Sequence, residues 1–334
     1  MSDAVVVIAS RVYGPEAFSE LPVADGVSHW HLEPAPTRNE TAPFRLAKRF
    51  FRPFREAAAS RRVIHRADLT AVGTLILGHS RDPLHRHLAN TIRHDRCVLV
   101  DDGAQILNVF EELKAGSFHQ VHRPFHRALL DRVAGLRDRR IPPVELFTAY
   151  EPTQSDLPVI ENRYRMTRRQ IGNEMRVNDE VWIIGQYFHQ TGMMSEIDYF
   201  GMLASVAAQY NGTSRVRYIM HPRESYCDSL SILSRAGVEP IRLKSAVELE
   251  IIARRTRPQR IVTFYSSVFQ TCMKIFGDQI PFDIIDPASE SWNDPDTRAL
   301  VEPAYRYLKS RAVDPHRLLH PRLVDGGYRC LIAA

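Results

Sequence analysis

The sequence predicts an α/β protein built on parallel sheets and divided into two Rossmann-like domains. Three observations carry that reading. Short β-branched runs alternate with helical stretches along most of the chain, the signature of strand–helix–strand architecture. At 334 residues the chain is too long for one ordinary compact core. Between Glu151 and Asp179 strand signals stop, charge density rises and two prolines fall (Pro152, Pro158), so this stretch reads as the join. The domains are therefore expected over residues 1–160 and 161–334.

Taken in order, strands are expected at Ala4–Ile8, Val27–Leu32, Gly73–Leu77, Arg96–Asp101 and Val144–Ala149 in the first half. In the second half they fall at Glu180–Gly185, Val216–Met220, Pro240–Leu243, Arg260–Phe264 and Phe282–Ile285. Helical periodicity fills the gaps at Ile197–Tyr210, Ser225–Ala236, Ala246–Arg255 and Ser267–Phe276. The closing stretch Val301–Arg322 begins as a helix and is then broken by Pro315 and Pro321.

Composition narrows the function classes. With 44% hydrophobic and 25% charged residues the chain is ordinary globular protein. No apolar run approaches the roughly 20 residues of a membrane span. The start MSDAVVVIAS has an acidic residue and no basic flank, so it reads as an opening strand, and a cytoplasmic protein is expected. Cys97, Cys227, Cys272 and Cys330 are scattered without a CxxC pair, which argues for idle or buried thiols. Only five of the 44 basic residues are lysine; the rest are arginine. The net charge of +5 favours anionic partners such as nucleotides or acidic glycans. No basic stripe interleaved with aromatics forms a nucleic-acid motif, so no nucleic-acid partner is expected. The segment 44–62 (FRLAKRFFRPFREAAASRR) carries arginines and aromatics at helical spacing. It suits either peripheral contact with the inner face of an anionic membrane or, more plainly, a core-packed helix with a basic outer face.

Four short pieces sit at the ends of expected strands, where ligands of open α/β sheets bind. RCVLVDDG delivers Asp101 and Asp102 to a glycine turn; adjacent carboxylates repel, which suits a general base, although Asp-Asp-Gly is also an ordinary turn. VRYIMHPRE presents His221 before Pro222, able to serve a departing phosphate or simply to bond local backbone. In RIVTFYSSVFQT a strand passes into a helix at Ser266 and Ser267, a phosphate-binding N-terminus or a plain serine cap. SAVELEIIARR places Glu248 and Glu250 in a first helical turn, complementing the helix dipole or accepting from ribose hydroxyls. Asp294-Pro295-Asp296 matches the letters of a metal-binding DxD but lies in polar, proline-broken sequence that reads as a surface loop. The histidine groups His85, His87, His94 and His119, His122, His126 lack cysteine or carboxylate partners, so a structural or substrate-contacting role is expected.

The order Asp-Asp-Gly, His-Pro, Ser-Ser resembles that of bacterial GT-B sialyltransferases, the lipooligosaccharide sialyltransferases and capsular polysialyltransferases among them. TLILGHSRDPLHRHLAN (Thr74–Asn90) and WIIGQ (Trp182–Gln186) are similar to that group as well, and the resemblance spans about residues 70 to 280. It implies a GT-B fold, two Rossmann-like domains facing a cleft, in which a last helix often crosses back to the first domain. It implies an inverting transfer of sialic acid, a related nonulosonic acid or Kdo from a CMP-activated donor to a glycan or glycolipid acceptor. Asp102, or its neighbour Asp101, would be the base in an acceptor-binding first domain, with Gly78 and His79 on the acceptor side. His221 would assist departure of CMP; Ser266 and Ser267 would hold its phosphate, and Glu248 the ribose, with Glu250 as the other register. Pro222, Gly185 and Gln186 fall on the donor side. One phosphate on the leaving group needs no divalent ion, so no metal or other cofactor is expected. Two other readings stand beside this one: a GT-B transferase using a CDP-activated donor such as CDP-glycerol, and a nucleotide- or glycan-binding protein without turnover.

Overall fold

The computed structural model describes residues 51–332 apart from 52, 55–56, 59–60, 62–70, 101–102, 120–124, 138–141, 153–156, 172–174, 313 and 315. The chain divides into two units, Met1–Asn162 and Arg163–Ala334. The expected strands at Ala4–Ile8 and Val27–Leu32 lie outside the described residues.

In the first unit the described elements are β1 (Ala71–Leu77), α1 (Pro83–Ala89), β2 (Arg93–Val100), α2 (Ile106–Lys114), α3 (Phe125–Val133), β3 (Glu145–Thr148) and β4 (Val159–Glu161). The four strands pair in chain order, all parallel. Of the intervening helices, α2 contributes Ile106, Leu107, Val109 and Phe110 to a core that also holds Leu77, Val98, Leu99 and Leu146. Of segment 44–62, residues 51, 53, 54, 57, 58 and 61 are described, and all are helical. Ala57 is buried in a cluster with Ala134 and Leu136, and Arg61 donates to the Ala134 carbonyl.

The second unit continues with α4 (Arg165–Ile171), β5 (Arg176–Val177), β6 (Glu180–Ile184), α5 (Phe188–Thr191), α6 (Glu196–Ala207), β7 (Arg215–Ile219), α7 (Leu230–Arg235) and β8 (Glu239–Ile241). Then come α8 (Val247–Arg254), β9 (Thr256–Arg257), β10 (Arg260–Thr263), α9 (Ser267–Phe276), β11 (Phe282–Ile285), α10 (Pro295–Lys309), β12 (Arg317–Val324) and β13 (Gly327–Ile332). The large sheet runs β13-β12-β11-β10-β6-β7-β8. Numbered by their own sequence, its six parallel strands read 3-2-1-4-5-6, the doubly wound dinucleotide-fold order. Strands covered on both faces must be apolar on both, and every residue of β6 and β11 is buried. α9 is set by Ser266 at its N-cap and by Phe269, Cys272, Ile275 and Phe276 along one buried stripe. It stops at Gly277, whose φ of +62° suits glycine.

The α/β class with parallel sheets is therefore as the sequence predicts. Two local expectations are corrected. The stretch read as a join contains β4, α4 and β5, the last paired with β9 in a two-stranded sheet. The closing stretch leaves its helix as read: after α10 the described chain forms the antiparallel hairpin β12–β13 on the second sheet. Pro321 is tolerated within β12 because β11 pairs only as far as Leu319, leaving the far side of the strand open at the proline. Asp294-Pro295-Asp296 is no loop but the start of α10, with Asp294 as N-cap accepting from the Asp296 N–H at 2.9 Å and Pro295 in the first turn.

Candidate functional site

Because β6, β7, β8 and β10 run parallel, their carboxyl ends share one edge of the second sheet. The order reverses between β6 and β10, the position where open α/β sheets form a ligand crevice. The loops leaving these strands carry Gly185–Tyr187, Met220–Glu224, Arg242 and Phe264–Ser267.

The turn after β7 is the most constrained of them. The His221 carbonyl accepts from the Glu224 N–H at 2.9 Å, and the His221 N–H donates to the Glu224 carboxylate at 3.1 Å, closing a ring. Arg242, just past β8, donates from Nη1 to the Pro222 carbonyl at 3.2 Å and from Nη2 to the Glu224 carbonyl. The half-buried His221 ring lies on Tyr187, with centroids 4.5 Å apart, and Arg223 donates to the Tyr187 hydroxyl at 3.1 Å. His221 Nδ1 accepts from the Arg223 N–H at 3.1 Å, which leaves the ring proton of a neutral imidazole on Nε2. Burial first, then the nearby cations Arg223 and Arg242, lower the His221 pKa to about 4. At neutral pH this group is therefore a hydrogen-bond donor without charge.

The β6 loop is tied to the same turn. Gly185 is buried, and its N–H is taken by the Ile219 carbonyl. The Gln186 N–H donates to Tyr199 Oη at 2.7 Å, Tyr199 and Tyr218 share a hydroxyl contact of 3.0 Å, and Tyr218 donates to Glu224 at 2.8 Å. Burial pushes the Glu224 carboxyl up to about 7 against the lowering effect of Tyr218, the His221 N–H and Arg242.

Ser266 caps α9, its hydroxyl accepting from the Val268 N–H at 3.2 Å, and Ser267 is the first helical residue, half-exposed. One serine thus serves the fold and the other is left for a ligand at the helix N-terminus. Ser266→Ala is expected to lower stability by about 1 kcal/mol, and Ser267→Ala to change it by less than about 0.5 kcal/mol. Denaturant midpoints of the two variants check this; equal losses would sink the division of roles. The two candidate glutamates are also told apart. Glu250 is engaged by Arg254 at 2.6 Å and accepts from Ser245 at 3.0 Å. Glu248 instead turns against α9, where Thr271 bonds its carboxyl and burial raises its pKa.

In the first unit, Gly78 and His79 follow β1 directly. His79 repeats the His221 pattern: its Nδ1 accepts from the Arg81 N–H at 3.0 Å. Asp101 and Asp102, directly after β2, lie outside the described residues; the next residue, Gly103, has φ +61°. Among the histidine groups, His85 Nδ1 accepts from the His79 N–H at 3.0 Å, and the buried His87 accepts from the Arg137 N–H at 2.8 Å. His122 lies outside the described residues.

The second unit thus brings His221, Pro222, Gly185 and Gln186 into one bonded group and sets Ser266, Ser267 and Glu248 on the same edge. Sequence reasoning missed Tyr187, Arg223, Glu224 and Arg242. The signal for Glu224 was its place three residues after His221, the span of one turn; Arg242 carried none beyond its position at a strand end.

No known family model and no curated protein matches the sequence. Among solved structures, the chain is similar to an α/β-galactoside α-2,3-sialyltransferase from the luminous marine bacterium Photobacterium phosphoreum. The identity is 10%, the coverage 92% of this chain and 89% of that one, and the TM-score 0.47. It is also similar to MurG of Acinetobacter baumannii, at 11% identity, coverage of 88% and 72%, and a TM-score of 0.32. At these values neither similarity assigns a family or an activity to the chain.

Proposed function

We propose that the chain is an inverting, metal-independent GT-B glycosyltransferase, moving sialic acid, a related nonulosonic acid or Kdo from a CMP-activated donor to a glycan or glycolipid acceptor. The observation that supports this best is the carboxyl edge of the second sheet. There an uncharged Nε2–H imidazole follows β7, a half-buried first-turn carboxylate follows β8, and a serine-capped helix N-terminus follows β10. Helix N–H groups and a neutral donor suit the single phosphate of departing CMP, and the helix dipole offsets its charge without a divalent ion.

In this reading residues 161–334 bind the donor. Ser267 and the α9 N-terminus meet the phosphate, Glu248 accepts from the ribose, and Pro222 holds the His221 turn extended. Residues 1–160 bind the acceptor, with Gly78 and His79 near it and Asp102, or Asp101, as base. The acceptor hydroxyl gives its proton to that carboxylate as its oxygen attacks the anomeric carbon. The bond from that carbon to the phosphate oxygen breaks, its electron pair leaves with CMP, and Nε2–H of His221 bonds the oxygen that gains charge. A single displacement of this kind inverts configuration. A cytoplasmic location, with segment 44–62 at the membrane, belongs to the same proposal. Among the described residues no helix is long and apolar enough to cross a membrane.

The test is binding and hydrolysis of a panel of CMP- and CDP-linked donors with EDTA present. A CMP-linked nonulosonate should bind and be slowly hydrolysed, and Asp102→Ala should lower transfer about 10²–10⁴-fold while donor binding persists. Turnover of CDP-linked donors alone, activity that EDTA abolishes, or full function without Asp101 and Asp102 would each overturn the reading.

A further inference from the structure

Glu224 is 2% exposed, yet among the described residues no cation is bonded to its carboxylate: Arg242, whose charge acts on it, spends its guanidinium on the carbonyls of Pro222 and Glu224. Burying a carboxylate costs several kcal/mol unless it is bonded, and an apolar side chain of similar volume is often the more stable choice. Here the bonds are supplied by neutral donors, the Tyr218 hydroxyl at 2.8 and 2.9 Å and the His221 N–H at 3.1 Å. Tyr218 is itself fully buried and continues to Tyr199, also fully buried, and so to the Gln186 N–H. The donors run one way along this chain, Gln186 to Tyr199 to Tyr218 to Glu224, so a single acceptor terminates it. An acceptor at position 224 is what lets two tyrosines and a backbone N–H be satisfied in the dry interior at once.

We propose that Glu224 is the positioning residue of the site: its carboxylate closes the His221–Glu224 turn and, through Tyr218 and Tyr199, locks the β7 and β6 loops into one arrangement that aims Nε2–H of His221. The groups facing the carboxylate are Tyr218 on β7, Tyr199 on α6, Arg242 beyond β8, and Cys227 and His221 on its own loop. What the lock acts on follows from the donor-phosphate reading of His221; the lock itself is a property of the free protein and can be read there.

The experiment follows the His221 imidazole in the full-length protein by long-range proton–nitrogen NMR, assigned by the signals lost in His221→Ala. Wild type, Glu224→Gln, Glu224→Ala and Tyr218→Phe are compared, each with circular dichroism and a cooperative melt to show that it folds. The wild-type ring should hold the Nε2–H tautomer and titrate near pH 4, where burial sets it. In Glu224→Ala the turn opens: both tautomers should appear and the titration should move toward the ordinary value of 6.5. Glu224→Gln should restore the wild-type signature, its amide oxygen in the Oε2 position accepting from both the His221 N–H and the Tyr218 hydroxyl. Tyr218→Phe should fall between, and it carries the test with Glu224→Gln if Glu224→Ala does not fold. With a CMP-linked donor, kcat should drop about 10- to 100-fold in Glu224→Ala with a smaller change in KM, and recover in Glu224→Gln. A folded Glu224→Ala with an unchanged His221 tautomer and titration overturns the proposal. So does a Glu224→Gln that keeps the His221 signature yet is as slow as alanine, because charge rather than position would then be at work. If no CMP-linked donor turns over, the proposed function falls while the imidazole signature still decides the role of Glu224.

Discussion

Replacing His221 by alanine is expected to lower donor hydrolysis about 10²–10³-fold, the cost of removing one fixed donor from a developing oxyanion. In the proposed transfer the loss should fall mainly on kcat, because there the bond from Nε2–H would strengthen as charge builds on the departing phosphate oxygen. Stability should change by less than about 1 kcal/mol, since the ring is only half-buried and its backbone N–H bond to Glu224 survives. The neutral state of the ring has a further consequence. An imidazolium acting as acid would make kcat/KM fall as pH rises through 6.5; a ring with a pKa of about 4 gives no such limb. A descending limb near pH 6.5 that vanishes in His221→Ala would sink the neutral-donor role.

The same variant changes stability with pH in a defined direction. The folded-state pKa of His221 is depressed to about 4 from 6.5, so its contribution is full above 6.5 and is lost as pH falls toward 4. Glu224 has the opposite sign. Its folded pKa is raised to about 7 from 4.5, so its contribution is full below 4.5 and is lost as pH rises through 7. In wild type the two slopes oppose each other between pH 4.5 and 6.5. His221→Ala should uncover the Glu224 slope, so that its denaturant midpoint declines as pH rises over that window.

Gly185→Ala should destabilise the fold by about 2–4 kcal/mol, combining overpacking with the loss of a buried hydrogen bond. A Cβ at this position would stand 2.6 Å from Tyr218 Cζ and closer still to its hydroxyl. Tyr218 has nowhere to go: it is fully buried and its hydroxyl is held by Tyr199 and Glu224. Displacing the ring breaks the chain that supports the His221 turn, so donor turnover should fall along with the melting temperature. Adding Tyr218→Phe removes the nearest of the clashing atoms, and the double variant should recover part of the stability lost in Gly185→Ala. A midpoint for Gly185→Ala within about 0.5 kcal/mol of wild type would show that the ring is free to shift.

Much of the architecture was legible without coordinates. The helix over Ser267–Phe276 and the strand over Phe282–Ile285 were read with the bounds the structure has, because each joins a clear stop signal to an unbroken pattern. Ser266 caps and Gly277 ends the helix, and the strand is apolar at every position but Asp283. Misreadings arose where pattern and context part. Pro321 reads as the break of the closing helix, and only the early end of β11 makes its place in β12 harmless. Val159–Glu161 is too short to signal a strand among charged neighbours, and it becomes one because β3 offers an edge to pair with.

The candidate site divides along the same line. The sequence by itself determined the α/β class and the pieces at strand ends, His221-Pro222, Ser266-Ser267 and the first-turn Glu248, since periodicity and punctuation are local properties. Tertiary structure alone decided what those pieces are chemically. Glu224 reads as one more surface charge between an arginine and a serine until β7 and α6 set Tyr218 and Tyr199 over it. The charge state of His221 depends on burial and on Arg242, which reaches the turn from the end of another strand. Glu248 is separated from Glu250 by two helical positions, about 200° around the axis, which turns the first toward α9 and the second toward Arg254. Desolvation and cross-strand charge act through space, so their effects come into being only when the strands assemble.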